Sequence, residues 1–541
     1  MRGYNIIMGN HFVLYENARI RTLDPALPEA GAILVCNGKI HALYQEQNPV
    51  ISGFGNIRRV DCRNLVMLPA FTDSHLHLLE TGEQLTTIDV SGARSEDEAV
   101  EILKKKSSGF KPGEIIQGSR WGHNLWKPPQ LPTKHSLDNA FPENPVFLFS
   151  KCGHLLWANS QAMKLAGITR DTPNPGEGVI DRDPETGEPT GMFKEDASDF
   201  FYDALPEASV SKKKEFLRNA VKHLNRFGIV NVHASDSVET FHLLQQLKNE
   251  PEFTLNAVVY LPSSSLDSLV ASGLRSGLGD DRLRFGGLKV FVDGSLGGRT
   301  AWMHDPYDEE PENLGIYVAT KETLLEVVGK ANRNGIVAMT HAIGDRAIDT
   351  LLDVYEEVEK TLTPENRPPL NNRIEHFQLL RDYMLPRIKK MEFFASMQPV
   401  HIFSDWYAGN RFWGKRSRYA YAFRTARECG VPVVFGSDSP VEPVNVFWGM
   451  YAAVARKDLE GKPDEGWYPE ESLTSREALE AYCSKPPGVV GESSVKGTLT
   501  PGKRADFVLC DKDPLNQSPE EWKDGNVLAT IVAGETTFSE L

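Results

Sequence analysis

Hydrophobic positions fall into two textures along the chain. From about Phe12 to Leu68, short apolar runs such as Phe12-Val13-Leu14-Tyr15 and Ala32-Ile33-Leu34-Val35-Cys36 are separated by turn residues. Asn37-Gly38, between two of these runs, predicts a tight hairpin, because both central residues of that turn take positive φ. Gly497 to Leu499, Ala505 to Leu509 and Val527 to Gly534 show the same texture, so the two ends are expected to pair in one small sheet module. Between them, apolar runs alternate with helical patterns, the mark of βα units and a parallel sheet. The strand candidates are Leu68 to His77, Ile229 to Ala234, Leu255 to Tyr260, Leu288 to Asp293, Ile336 to His341, Arg373 to His376, Phe394 to Gln398 and Val431 to Asp438. They number eight, which closes a (β/α) barrel.

The stretch from about Asp89 to Val221 is too long for one βα connection and holds strand candidates of its own at Ile115-Ile116-Gln117 and Val146 to Phe149. It reads as an inserted subdomain. The Pro/Gly-rich Thr172 to Gly191 is expected to be an extended loop; with Trp121, Trp126, His154 and Trp157 nearby in sequence the insertion is a candidate to wall a substrate pocket, Trp121 and Trp126 either as its apolar wall or as core.

Chemistry enters at the strand ends. The run Val66 to His77 closes on His75 and His77, and strand alternation points both rings to one side, close enough to share a metal ion. Lys289, His341, His376 and Asp438 follow near the ends of the fourth, fifth, sixth and eighth candidate strands, the face on which barrels build active sites. Any one histidine is as readily a satisfied buried ring. Together, imidazoles from His75, His77, His341 and His376 with the Asp438 carboxylate match zinc's preference for N and O ligands.

Lys289 is different, because an ammonium is a poor ligand and a lysine stem often covers apolar surface. Yet Lys289, Phe291 and Asp293 share a strand face expected to point into the barrel, where a protonated lysine is costly. His154, Asp293, Arg299, Asp345 and Arg346 are candidates for holding substrate or ligands. Asp345 or Glu375 is a candidate to fix a histidine tautomer, and His233 and His401 are pocket candidates only.

Composition narrows the classes. At 541 residues the chain exceeds one ordinary core, and 40% hydrophobic with 25% charged residues is typical of ordered globular protein. A net charge of -15 argues against nucleic acid, and Lys104-Lys105-Lys106 and Lys212-Lys213-Lys214 read as solvated helix faces. Cys36, Cys62, Cys152, Cys429, Cys483 and Cys510 are scattered without a metal or disulfide spacing. No leader pattern and no spanning apolar stretch is visible, so a cytoplasmic protein that does not enter membranes is expected. Homo-oligomerisation is left open.

With these residues assembled, the chain resembles the amidohydrolase superfamily, within the group that includes N-substituted formamide deformylase. The resemblance rests on Phe71-Thr72-Asp73-Ser74-His75-Leu76-His77, Gly118 to Trp126, Val292 to Ala301 and His341 to Ala347. It implies a TIM-like (β/α)8 barrel at 68–494, an inserted subdomain within 89–221, and a small β-sandwich built from 1–67 and 495–541. It also implies one or two zinc ions on His75, His77, Lys289, His341, His376 and Asp438, with Lys289 carboxylated as a bridge. The expected function is hydrolysis of a non-peptide C–N bond in a small amide, N-acyl or N-formyl compound by a metal-activated hydroxide. Asp438 is the expected proton carrier, and His154 or a second zinc the oxyanion stabiliser. The alternatives are a mononuclear ring aminohydrolase and, on missing ligands that this chain does not lack, a non-catalytic scaffold.

Overall fold

The computed structural model describes residues 11–53, 56–123, 126–150, 155–175, 178–204 and 207–541. Contacts divide the chain into two compact units, one comprising Met1–Leu79 with Arg218–Leu541 and the other Glu80–Leu217.

The larger unit holds a TIM-like barrel of eight parallel strands in sequence order. These are β1 (Phe71–Leu76), β2 (Ile229–Ser235), β3 (Asn256–Pro262), β4 (Leu283–Phe291), β5 (Ala338–Ala342), β6 (Arg373–His376), β7 (Phe394–Met397) and β8 (Val433–Phe435). Every residue of β1 and β2 is buried, as expected of parallel strands covered on both faces. Closure is made just beyond the ladder, where Leu76 bridges Ser439 and the Asp438 N–H donates to the His75 carbonyl at 2.7 Å.

Both chain ends contribute to a second, eight-stranded sheet in the same unit. Its central strands, Phe12–Arg21 and Ile57–Pro69, run parallel, and Phe507–Cys510 adds antiparallel to the latter. Asn37 and Gly38 both adopt positive φ, 50° and 79°, in the hairpin joining Ala32–Cys36 to Lys39–Tyr44. Val13, Tyr15, Ile20, Phe507, Leu509 and Ile531 form its core. The apolar run leading to His75 is not one strand. Pro69 pairs with Phe507 in the terminal sheet, whereas the Phe71 N–H donates to Gly228 O at 2.9 Å, so the backbone changes sheets at Ala70.

The smaller unit is built on a six-stranded sheet. Trp121, Trp126 and Trp157 fill its core, with Trp121 lying 5.7 Å from Trp126 and 6.2 Å from Trp157 between ring centroids. These tryptophans are core rather than pocket wall. The expected extended loop at Thr172 to Gly191 is also corrected. It contains paired strands Val179–Arg182 and Pro189–Lys194, turned by Asp183, whose carboxylate caps the N–H groups of Glu185 and Thr186. Proline at the first residue of a strand costs no ladder bond, so the composition concealed a hairpin. Among the described residues, no helix is long and apolar enough to cross a membrane.

Candidate metal centre

The polar cluster lies at the C-terminal end of the barrel, held by bonds between the first and last strands. Asp73 accepts the His75 N–H at 3.1 Å, the Ser437 N–H at 3.0 Å and the Ser437 hydroxyl at 2.6 Å. A Cβ on Gly436 would lie 2.4 Å from the His75 nitrogen, so only glycine allows this approach. The His77 N–H donates to Ser439 O at 2.8 Å. His376 and Asp438 adopt φ of 67° and 61°, a region that side chains disfavour and that persists where neighbouring bonds over-determine the backbone.

The side chains converge on Asp438. Its Oδ1 lies 3.2 Å from His75 Nε2 and 3.4 Å from His77 Nε2, and one donor atom each from His75, His376 and Asp438 falls within 4.8 Å of the others. The rings of His376 and His341 are 4.4 Å apart, and Lys289 Nζ is 3.2 Å from His75 Nε2. The His341 Nε2 hydrogen bonds to Gly294 O at 2.9 Å, which leaves that nitrogen engaged with the loop after β4.

Beneath them, Glu375 bonds His75 Nδ1 and pairs with the wholly buried Arg373. The Arg373 guanidinium also donates to Ser74 O, to Ser396 Oγ at 2.7 Å, and lies 2.9 Å from His233 Nδ1. Burial, the largest single influence, would raise the Glu375 carboxyl, but the charges of Arg373, His75 and Lys289 with the His75 hydrogen bond together outweigh it and bring it to about 2. Burial pushes the Lys289 ammonium down to about 8 and the His341 imidazolium to about 3, and holds His376 well below the ordinary range. Burial opposes ionisation of Asp438, yet His75 and His77 keep its carboxyl well below the usual value.

This donor set fits a divalent ion. Neutral imidazoles, one carboxylate and an outer carboxylate holding a ring nitrogen are what zinc sites use. The buried Nδ1 of His376 has no hydrogen-bond partner, as a nitrogen reserved for another ligand would.

The structure therefore gathers His75, His77, Lys289, His341, His376 and Asp438 at one end of the barrel. His154 lies outside the described residues. Asp345 is not a histidine's anchor: it accepts the His304 N–H at 2.9 Å and pairs with Arg381, whereas Glu375 takes that role for His75. Arg299 pairs with Glu310, and Arg346 stacks 4.6 Å from the Trp302 ring. Asp293 instead fixes backbone. Its carboxylate accepts N–H groups of Trp302, Ile343 and Gly344 at 2.9, 3.0 and 2.8 Å, and burial raises it to about 7. Phe291 stands 43% exposed, its ring 5.3 Å from that of His341. Sequence reasoning passed over Arg373 and Asp73. Their signal was alternation, since Arg373 precedes Glu375 by two and Asp73 precedes His75 by two.

Residues 58–538 match the model of the Amidohydrolase family. The chain is 27% identical over 540 residues to N-substituted formamide deformylase of Arthrobacter pascens, covering 96% of each chain. It is 29% identical over 542 residues to the protein LONG AFTER FAR-RED 3 of Arabidopsis thaliana, covering 97% of this chain and 91% of that one. The crystal structure of an uncharacterized metal-dependent hydrolase from Pyrococcus horikoshii superposes with a TM-score of 0.76 at 30% identity, covering 94% of this chain and 99% of that one.

Proposed function

The chain belongs to the amidohydrolase family, and from that membership we propose that it hydrolyses a non-peptide C–N bond in a small amide of N-acyl or N-formyl type. The observation that carries this is the buried convergence of His75, His376 and Asp438 within 4.8 Å. The resemblance to a formamide deformylase supports the choice of bond. We propose zinc as the ion, held by His75, His77, His376 and Asp438 with His341 and Lys289 completing the set. When bound, such an ion supplies a Lewis acid that lowers the pKa of water toward ~7 and polarises a carbonyl.

The chain's own residues do the rest. Asp438 stays ionised, so its carboxylate accepts a proton from the attacking water and returns it to the departing nitrogen. Glu375 keeps the proton on His75 Nδ1, which directs the Nε2 lone pair toward Asp438 and Lys289. Lys289, brought by burial to about 8, gives up its proton more readily than an exposed lysine, and the neutral amine can add to carbon dioxide. In that addition its nitrogen forms the C–N bond of a carbamate and sheds a proton to solvent.

A second reading, ring deamination at a mononuclear site, is favoured by the size of the three-donor group, which suits one ion. Metal content by plasma mass spectrometry, with a panel that separates carboxylate or formate release from ammonia release, distinguishes them. About two zinc ions per chain with carboxylate release supports the bridged amidase; about one with ammonia release supports the deaminase. Loaded protein that releases neither product overturns both.

A further inference from the structure

We propose that His401 is a further catalytic residue, donating a hydrogen bond from Nε2 to the substrate carbonyl oxygen as that oxygen gains negative charge. This role rests on the hydrolytic reading above. β7 ends at Met397, and the single turn Pro399–His401 carries the imidazole to the same end of the barrel as Asp438. Its Nε2 is buried and has no hydrogen-bond partner, and it lies 3.9 Å from Asp438 Oδ2. That separation is too long for a hydrogen bond, so the two groups face each other without satisfying each other. In the tautomer the proposal requires, with the proton on Nε2, a buried donor left unmade costs about 1–3 kcal/mol, a cost that a bound ligand removes.

Of the other imidazoles at this end, His75, His77 and His341 have polar partners and His376 offers its free Nδ1 to the donor group. His75 is held through Nδ1 by Glu375, His341 Nε2 by Gly294 O, and His77 Nε2 is 3.4 Å from Asp438. His376 belongs to the three-donor group. His401 stands outside that group, with its ring 6.4 Å from that of His376. The helix Ile402–Phe412 begins at the next residue and brings Asp405 into electrostatic reach of the imidazole. Asp405 is itself fixed, accepting from Gln378 Nε2 at 2.8 Å and from the Tyr421 hydroxyl at 2.6 Å. The ring thus stands beside the base, at the start of a helix whose Asp405 is held in place, as suits an oxyanion donor.

The step balances without moving a proton through His401. Water oxygen bonds the carbonyl carbon while Asp438 takes the water proton, and the C=O π pair moves onto oxygen, where the His401 N–H binds it. Collapse reforms C=O, breaks the C–N bond, and the nitrogen leaves with the proton from Asp438.

The test compares wild type, His401→Ala and His401→Gln on an amide the wild type hydrolyses, with metal per chain measured on each. Inhibition by a phosphonamidate analogue of the tetrahedral state is measured alongside. Loss of one such donor lowers kcat by about 10²–10³-fold. The alanine variant should show that loss with KM nearly constant and metal content unchanged. Glutamine, which keeps an N–H, should recover at least about a tenfold part of it. Affinity for the analogue should fall in step with kcat/KM. An alanine variant with unchanged kcat overturns the role while leaving the hydrolase intact. Metal lost in proportion to activity overturns it by making His401 a ligand. An inactive wild type overturns the hydrolytic reading, and this role with it.

Discussion

Replacing Arg373 by methionine should cost about 3–5 kcal/mol of stability, the usual consequence of removing one partner from a buried ion pair. Arg373 and Glu375 are both fully buried, and the guanidinium is the principal cation opposing that carboxylate. Holding Glu375 at about 2 rather than at 4.5 is worth roughly 3 kcal/mol net of burial, a sum to which His75 and Lys289 contribute beside Arg373. Methionine fills much of the stem's volume but leaves Ser74 O and Ser396 Oγ without the donor they now have. The assay is guanidinium unfolding of metal-free protein followed by circular dichroism, with Arg373→Met and the double variant Arg373→Met/Glu375→Gln. Because the charge is what becomes stranded, the double variant should regain at least half of the loss. The pH dependence has a definite sign. Glu375 is depressed in the folded state, so its contribution is present above pH 4.5 and is lost as pH falls toward about 2. Arg373→Met should lack that acid-side loss. A cost below about 1 kcal/mol, or a double variant no more stable than the single, would refute the argument.

Asp438→Asn should fold normally, because asparagine tolerates the φ of 61° at this position, yet lose kcat by about 10²–10⁴-fold or more. Thermal unfolding and initial rates check the two halves separately, and retained turnover removes Asp438 from proton transfer. Gly344→Ala places a Cβ 2.0 Å from Trp302 O, displacing the backbone that Asp293 holds. It should cost about 1–3 kcal/mol or more in thermal unfolding. Trp157→Ala should cost about 3–5 kcal/mol by emptying the smaller unit's aromatic core. Hydrogen exchange should then show protection lost within Glu80–Leu217 before the barrel strands, and uniform loss would sink that expectation.

What was legible in the sequence follows from burial. Barrel strands are covered on both faces, so the chain entering β1 reads as an apolar run from Val66 to Phe71 that leads to His75 and His77. The same continuity hid the change of sheets at Ala70, because a strand passing from one core to another stays apolar throughout. Proline and glycine concealed the 179–194 hairpin for the converse reason. Asp345 and Glu375 were equivalent candidates by position in sequence. Only folding decides, since Glu375 shares β6 with His376 and reaches His75, while Asp345 opens the helix after β5 and meets Arg381. Arg373 and His401 were least legible. A fully buried arginine runs against its type, and a histidine on a turn after β7 lies on no periodic face.

The barrel's interior explains why its buried charges belong together. Lys289, Arg373, Glu375 and Asp438 are all buried, an expensive set unless each charge answers another. Arg373 answers Glu375, Glu375 orients His75, and His75 faces both Asp438 and Lys289. The ion pair that stabilises the barrel is thus also the support of the first histidine. A change at Arg373, which touches no expected ligand except through Glu375, should loosen metal binding as well as folding. Outer partners of this kind typically account for 10–100-fold in metal affinity. Competition of Arg373→Met with a zinc chelator, compared with Trp157→Ala at matched loss of stability, separates the two effects. Equal weakening in both variants would mean that stability alone sets affinity, and that Arg373 has no particular hold on the site.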